Sequence, residues 1–156
     1  MTEQTTGAAA DSSKNTTKST VRVRFCETDL MGIVHHASYL VYFETGRVEW
    51  LRRRGITYTA WVERGIHLPV ANAELRYRAT ARFHDLLAVE TTLSKLRSVS
   101  LDYTYRIVRQ GDGVVIADGM TRLASVDDQH KLVRIPPDIR DVLLGGEVSA
   151  ATGEIG

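Results

Sequence analysis

Residues 37–54 run without proline, and the first half of that run, Tyr39-Leu40-Val41-Tyr42-Phe43, would be apolar on nearly every side of a helix. Such a helix cannot lie on a wet surface; something must cover it on most sides. The run closes on Arg52, Arg53, Arg54 and Gly55. Basic side chains in a last turn complement the helix dipole, and a glycine beyond it permits the left-handed closing residue. The pattern predicts one long buried helix, and the rest of the chain is constrained to wrap it.

After the helix the period changes to two. Ala71, Ala73, Leu75, Tyr77 and Ala79 alternate with Asn72, Glu74, Arg76 and Arg78, as in a half-buried strand. Leu87, Val89, Thr91 and Leu93 propose the next strand, and Val99, Leu101, Tyr103, Tyr105 and Ile107 another. Gly111-Asp112-Gly113 signals a turn into a strand over 114–125. A further turn at 127–130 leads into 131–135, and Pro136-Pro137 opens a short closing helix. Ahead of the long helix, Val21, Val23 and Phe25 alternate with Arg22 and Arg24 as a first strand, and residues 57–64, with Trp61, suggest a short second helix. One strand, one long helix and then four or five strands whose sequence neighbours pair antiparallel make an α+β domain, a sheet curled around a helix.

Composition limits the partners. With 156 residues, 43% hydrophobic and 25% charged, the chain makes one domain with a real core. Twenty basic and nineteen acidic residues leave a net charge of +1, which predicts no broad attraction to nucleic acid or to a membrane surface. Cys26 is the single cysteine, so neither an internal disulfide nor a CxxC metal motif is available, as suits a reducing cytoplasm. No apolar signal core and no stretch of membrane-spanning length is present, and the expected location is cytoplasmic. Residues 1–20 are Thr, Ser, Ala, Gly and Lys with little to bury, which predicts a disordered tail. Residues 145–156 read as a second, flexible tail, leaving 21–144 as the folded block.

The chemistry concentrates in TDLMGIVHHASYLVYFE, residues 28–44. Gly32 suits a tight turn or a close approach of backbone to a ligand. His35 and His36 are adjacent, so their side chains should leave in different directions; with His67, His84 and His130 scattered, no zinc site is expected. Cys26 reads as a small buried hydrophobe, and Ser38 lacks the glycine-flanked elbow of serine hydrolases. Glu44 is expected to pair with Arg47, and Gly46 in mid-helix to mark a close approach of a neighbouring element.

DLMGIVHHASYLVYFE followed by GRVEWL resembles the DxxGxVxHxxYLxYFExxR pattern of hotdog-fold acyl-CoA thioesterases, the group that includes 4-hydroxybenzoyl-CoA thioesterases and YbgC-like proteins. ELRYRATARFHDLLAVETTLSKLRSVSLDYTYRIVR looks like the central strands of the same family, so the resemblance covers residues 21–144. It implies a five- or six-stranded antiparallel sheet wrapped around one long helix, subunits joined as a homodimer or homotetramer, and sites at the interface. It also implies that Asp29 is the catalytic carboxylate and that the helix start near His36 presents a backbone N–H to the thioester carbonyl. Enediyne thioesterases, similar around this loop, have asparagine at the position of Asp29, so the acid-dependent branch is the better match.

Thioester hydrolysis needs a carboxylate or an activated water at the carbonyl carbon and a donor for the oxyanion. Asp29, as general base or as nucleophile, and the N–H groups around His36 and Ala37 would supply both. Coenzyme A carries phosphates, for which Lys95 and Arg97 match the region where family members hold the nucleotide; Arg76, Arg78 and Arg82 are further candidates. The expected activity is cofactor-free hydrolysis of an acyl-CoA or acyl-carrier-protein thioester, with Gly32 against the substrate. A non-catalytic module that binds acyl thioesters is the alternative, and hydration of an enoyl thioester ranks last, because the Asp/His dyad of a longer dehydratase helix is missing.

Overall fold

The long helix forms as α1 (Ser38–Arg52). Its buried residues Tyr39, Tyr42, Phe43, Gly46, Arg47, Trp50 and Leu51 recur every three or four positions and so share one stripe. The structure, a computed structural model, describes residues 14–148. In it the stripe lies across one antiparallel sheet of five strands, β1 (Thr16–Arg22), β2 (Val70–Tyr77), β3 (Leu86–Leu96), β4 (Ser100–Arg109) and β5 (Val115–Ala124). Two shorter helices, α2 (Tyr58–Glu63) and α3 (Pro137–Leu144), complete the fold.

Packing of α1 is close. Phe43 stacks on Tyr105 of β4 with ring centroids 4.2 Å apart, and Trp50 meets Tyr103 edge-on at 5.2 Å. A Cβ on Gly46 would overlap Thr91 Oγ1 and stand 2.9 Å from Val89 Cγ1, both on β3. The mid-helix glycine is therefore a packing requirement. Arg47 does not pair with Glu44, which is exposed; it is buried and donates to the hydroxyls of Tyr105 (3.1 Å) and Tyr58 (3.5 Å). Nor is the helix covered all round: Leu40 and Val41 are 42% and 51% exposed. Beside them a groove of about 540 Å³ runs between β1 and the outer face of α1, lined by Val41, Thr45 and Val48 among others.

The strand order is β1-β3-β4-β5-β2. Sequence neighbours pair from β3 to β5, but β2 crosses to the far edge and pairs with β5, a correction to the expected neighbour pairing. Seven of the eight β2 residues are exposed and only Leu75 is partly covered, so this strand is not half-buried in a single chain. Residues 131–135 form one isolated bridge, Val126 to Leu132, instead of a sixth strand.

β1 begins at Thr16, inside the stretch expected to be a tail. Its inward residues are Thr17 and Ser19, both buried. What holds them is hydrogen bonding: β1 pairs with β3 along its whole length, and Thr17 Oγ1 accepts from the buried Arg54 at 2.8 Å and donates to Glu147 at 2.7 Å. At the other end Val148 N–H donates to Arg53 O at 2.9 Å, which ties down the start of the second expected tail. Residues 1–13 and 149–156, the remainder of both tails, lie outside the described residues.

The other face of the sheet carries a buried acid. Asp102, whose side chain is 5% exposed, alternates with the inward Leu101 and Tyr103 and so points away from α1. Arg122 grips both carboxylate oxygens, at 2.8 and 3.1 Å, and Arg97 Nη1 lies 3.0 Å from Oδ1. Hydrogen bonding to Arg122, aided by Arg97, holds the Asp102 carboxyl at about 2. A lowered carboxylate pKa stabilises the fold above the unfolded value near 3.9, and the gain is lost as pH falls through the folded value. Asp102→Asn should therefore cost about 2 kcal/mol at pH 7, with the difference shrinking as pH falls from about 4 towards about 2. Urea unfolding of both proteins across that range measures it.

Candidate active site

Beyond β1 the chain makes a short 3-10 turn, Phe25–Glu27, and doubles back in a hairpin. His35 N–H donates to Glu27 O at 2.8 Å, Asp29 N–H to Ile33 O at 2.9 Å, and Gly32 N–H to Asp29 O at 2.9 Å. Gly32 has φ +74°, the left-handed position that closes a three-residue hairpin loop. Asp29 is thus the last paired residue before the tip. Its Oδ1 accepts from Met31 N–H at 2.8 Å, and its Oδ2 has no partner among the described residues.

The far arm of the hairpin runs straight into α1. His35 turns the chain into the helix, whose N-cap is Ala37: its carbonyl accepts from Ser38 N–H at 3.0 Å and its Nδ1 from Ala37 N–H at 3.1 Å. The Ala37 donor, expected to be free, is therefore occupied. The N–H of His36 has no partner among the described residues, and it stands beside the positive end of the α1 dipole. The His36 carbonyl accepts from Tyr77 Oη at 3.0 Å, so β2 holds that peptide in place. The two histidine rings do not diverge as expected; they lie against each other with centroids 4.1 Å apart. Cys26, expected to be buried, is exposed, because the chain has already left the sheet when it reaches that turn.

Glu27 went unnoticed in the sequence, and it joins these parts. Its side chain is 11% exposed. Oε1 accepts from Arg24 N–H (2.8 Å) and from Tyr42 Oη of α1 (3.0 Å), while Oε2 accepts from the Arg24 guanidinium at 3.2 and 3.3 Å. Its carbonyl takes His35 N–H and, at 3.2 Å, Ser38 Oγ. Burial, then the bond to Glu27, pushes the Tyr42 phenol well up, so it remains a proton donor to the carboxylate. An acid two residues before Asp29 was the one signal available, but its partners are set by the tertiary fold.

The loop between β2 and β3 forms the neighbouring wall. Val34 N–H donates to Ala81 O at 2.8 Å, and Phe25 meets Phe83 edge-on at 5.7 Å. A methyl group built on Gly32 would stand 3.7 Å from Arg82 Nη1. Asp29, Gly32, His36 and Arg82 therefore cluster at one end of the sheet. Lys95 and Arg97 do not join them. The hairpin lies by Leu86, which pairs with Arg22, and Lys95 is nine residues along the same strand, about 30 Å away. Lys95 is exposed at a register shift opposite Asp102, and Arg97 is engaged with Asp102. Among the described residues no group of three His, Cys, Asp or Glu side chains is placed to hold a metal ion, and no helix is long and apolar enough to cross a membrane.

Comparison with known proteins decides the family. Residues 23–143 match the thioesterase-like superfamily. The chain belongs to that superfamily. Acyl-CoA thioesterase YbgC of Haemophilus influenzae is 31% identical over 122 residues, 77% of this chain and 88% of that protein. The crystal structure of hypothetical protein TT1821 from Thermus thermophilus superposes with a TM-score of 0.78 at 38% identity, covering 86% of this chain and 99% of that one. The DHNA-CoA thioesterase of Staphylococcus aureus gives 0.78 at 25% identity, covering 81% and 87%. This chain has the hotdog fold, and its class of activity is thioester hydrolysis.

The Glu27 network of the thioesterase generates a measurable coupling. Glu27→Ala should lower stability by about 1–3 kcal/mol, since it strands the buried Tyr42 hydroxyl. Tyr42→Phe should cost about 1 kcal/mol, and the double variant less than the sum. Urea midpoints of the four proteins give the cycle, and strict additivity would refute the link.

Proposed function

We propose that this thioesterase hydrolyses acyl-CoA thioesters with Asp29 as the reacting carboxylate and the His36 N–H as the oxyanion donor. The observation that carries the reading is the pair of openings at one hairpin: a carboxylate oxygen of Asp29 and the helix-entry N–H of His36, both without partners among the described residues. The thioester carbonyl oxygen takes the N–H, where the helix dipole favours developing negative charge. Asp29 then either removes a proton from an attacking water or attacks the carbonyl carbon itself, expelling the thiolate and leaving an anhydride for water to open. Gly32 keeps the backbone beside the carboxylate free of a side chain. The names of the relatives, acyl-CoA thioesterase and DHNA-CoA thioesterase, support CoA as the carrier.

Purified protein should release free thiol from acyl-CoAs, and Asp29→Asn should lower turnover at least about a hundredfold. Unchanged turnover in that variant would sink the assignment of Asp29. Binding without thiol release, on CoA and carrier-protein thioesters alike, would favour the non-catalytic module.

The working unit we propose is a pair of chains joined along β2, or two such pairs. The exposed faces and free edge of β2 support this pairing. So does the distance from Asp29 to Lys95 and Arg97: those two cations serve a CoA bound at Asp29 only if they come from the other subunit. Sedimentation should give a mass at least twice the 17.4 kDa of the chain, and a monomer at micromolar concentration would exclude the pairing.

A further inference from the structure

Arginines around the hairpin are nearly all committed. Arg24 is held by Glu27, Arg22 donates to His84 O at 3.1 Å, Arg78 pairs with Asp118 at 2.7 Å, and Arg109 binds Asp112 at 3.0 Å and Asp85 at 3.5 Å. Arg82, the one whose guanidinium lies by Gly32, is not committed. It is exposed, and its guanidinium has no hydrogen-bond or ion-pair partner among the described residues. Yet its backbone is firmly placed: Arg82 N–H donates to Asp85 Oδ2 at 2.9 Å, and its carbonyl accepts from Asp85 N–H at 3.0 Å. The guanidinium rests against Gly32, three residues from Asp29, without forming an ion pair with that acid.

A carboxylate on the hairpin and a cation on the loop beside it, unpaired with each other, are both available to a ligand. Asp29 as the reacting group would repel a substrate whose acyl part is negatively charged. A guanidinium beside it, carried on a firmly placed backbone, offsets that repulsion and offers a planar fork that fits a carboxylate. The phosphates of CoA lie at the far end of the pantetheine arm from the thioester, so a cation next to Asp29 meets the acyl side. We propose that Arg82 is a specificity-determining residue that binds a carboxylate on the acyl group, making ω-carboxyacyl thioesters substrates of this enzyme. The inference rests on the reading of Asp29 as the reacting group.

The test compares adipoyl-CoA with hexanoyl-CoA, equal in chain length and carrier and different in one terminal carboxylate. Wild type should cleave both. Arg82→Gln should lower kcat/KM for adipoyl-CoA at least about tenfold, chiefly through KM, and leave hexanoyl-CoA within about twofold; Arg82→Lys should recover part of the loss. Equal losses on both substrates, or no loss on either, overturn the proposal while leaving the thioesterase reading intact. So does a wild type that cleaves hexanoyl-CoA and refuses adipoyl-CoA. Wild type inert towards both overturns this proposal, and inert also towards aromatic acyl-CoAs and carrier-protein thioesters it overturns the two readings together.

Discussion

Helix α1 can lie on its sheet only because residue 46 has no side chain. At Gly46 the helix backbone comes down onto Thr91 and Val89 of β3, closer than a Cβ would permit. Everything at the N-terminal end follows from that contact. With the helix axis lowered, Phe43 stacks flat on Tyr105 and Tyr42 reaches Glu27. Glu27 then places the hairpin, and the hairpin places Asp29 beside the helix entrance. Glycine is a poor helix residue by about 1 kcal/mol, and here the close packing of a stripe of aromatic side chains offsets that cost.

Beneath the helix the interior is not purely apolar. Arg47 and Arg54 are both buried and bond to neutral groups: Arg47 to two phenols, and Arg54 through its two Nη atoms to Thr17 Oγ1, Trp50 O and Lys14 O, with its guanidinium 3.6 Å over the Trp50 ring and its Nε without a partner among the described residues. Guanidinium tolerates this because its charge is delocalised and its hydration is weak. The consequence is positional. Arg54 fastens the C-terminal end of the helix to β1, as Glu27 fastens the N-terminal end to the hairpin.

Elements whose burial is apolar and periodic were legible in the sequence. Helix α1 and the alternation of Leu101, Tyr103, Tyr105 and Ile107 in β4 are of that kind. The start of β1 was hidden because its inner face there is Thr17 and Ser19, which composition reads as tail, and the strand expected over Val21, Val23 and Phe25 ends at Arg22. The crossing of β2 was hidden because periodicity reports faces and not neighbours. Occupancy of the Ala37 N–H depends on a histidine rotamer, and the gap between Asp29 and Lys95 depends on which end of β3 each loop joins. Neither quantity has a local signature.

β2 leaves the fold with an open ladder. Its outer edge presents backbone groups without partners among the described residues, and Val70 and Tyr77 at its ends are exposed, the combination that invites another strand to add to the sheet. Glu74 and Arg76 interrupt the strand between them. Charges at such an edge admit a partner that answers them and turn away one that does not. The same two residues that look idle on a solvated strand are of the type that guards such an edge against misassembly.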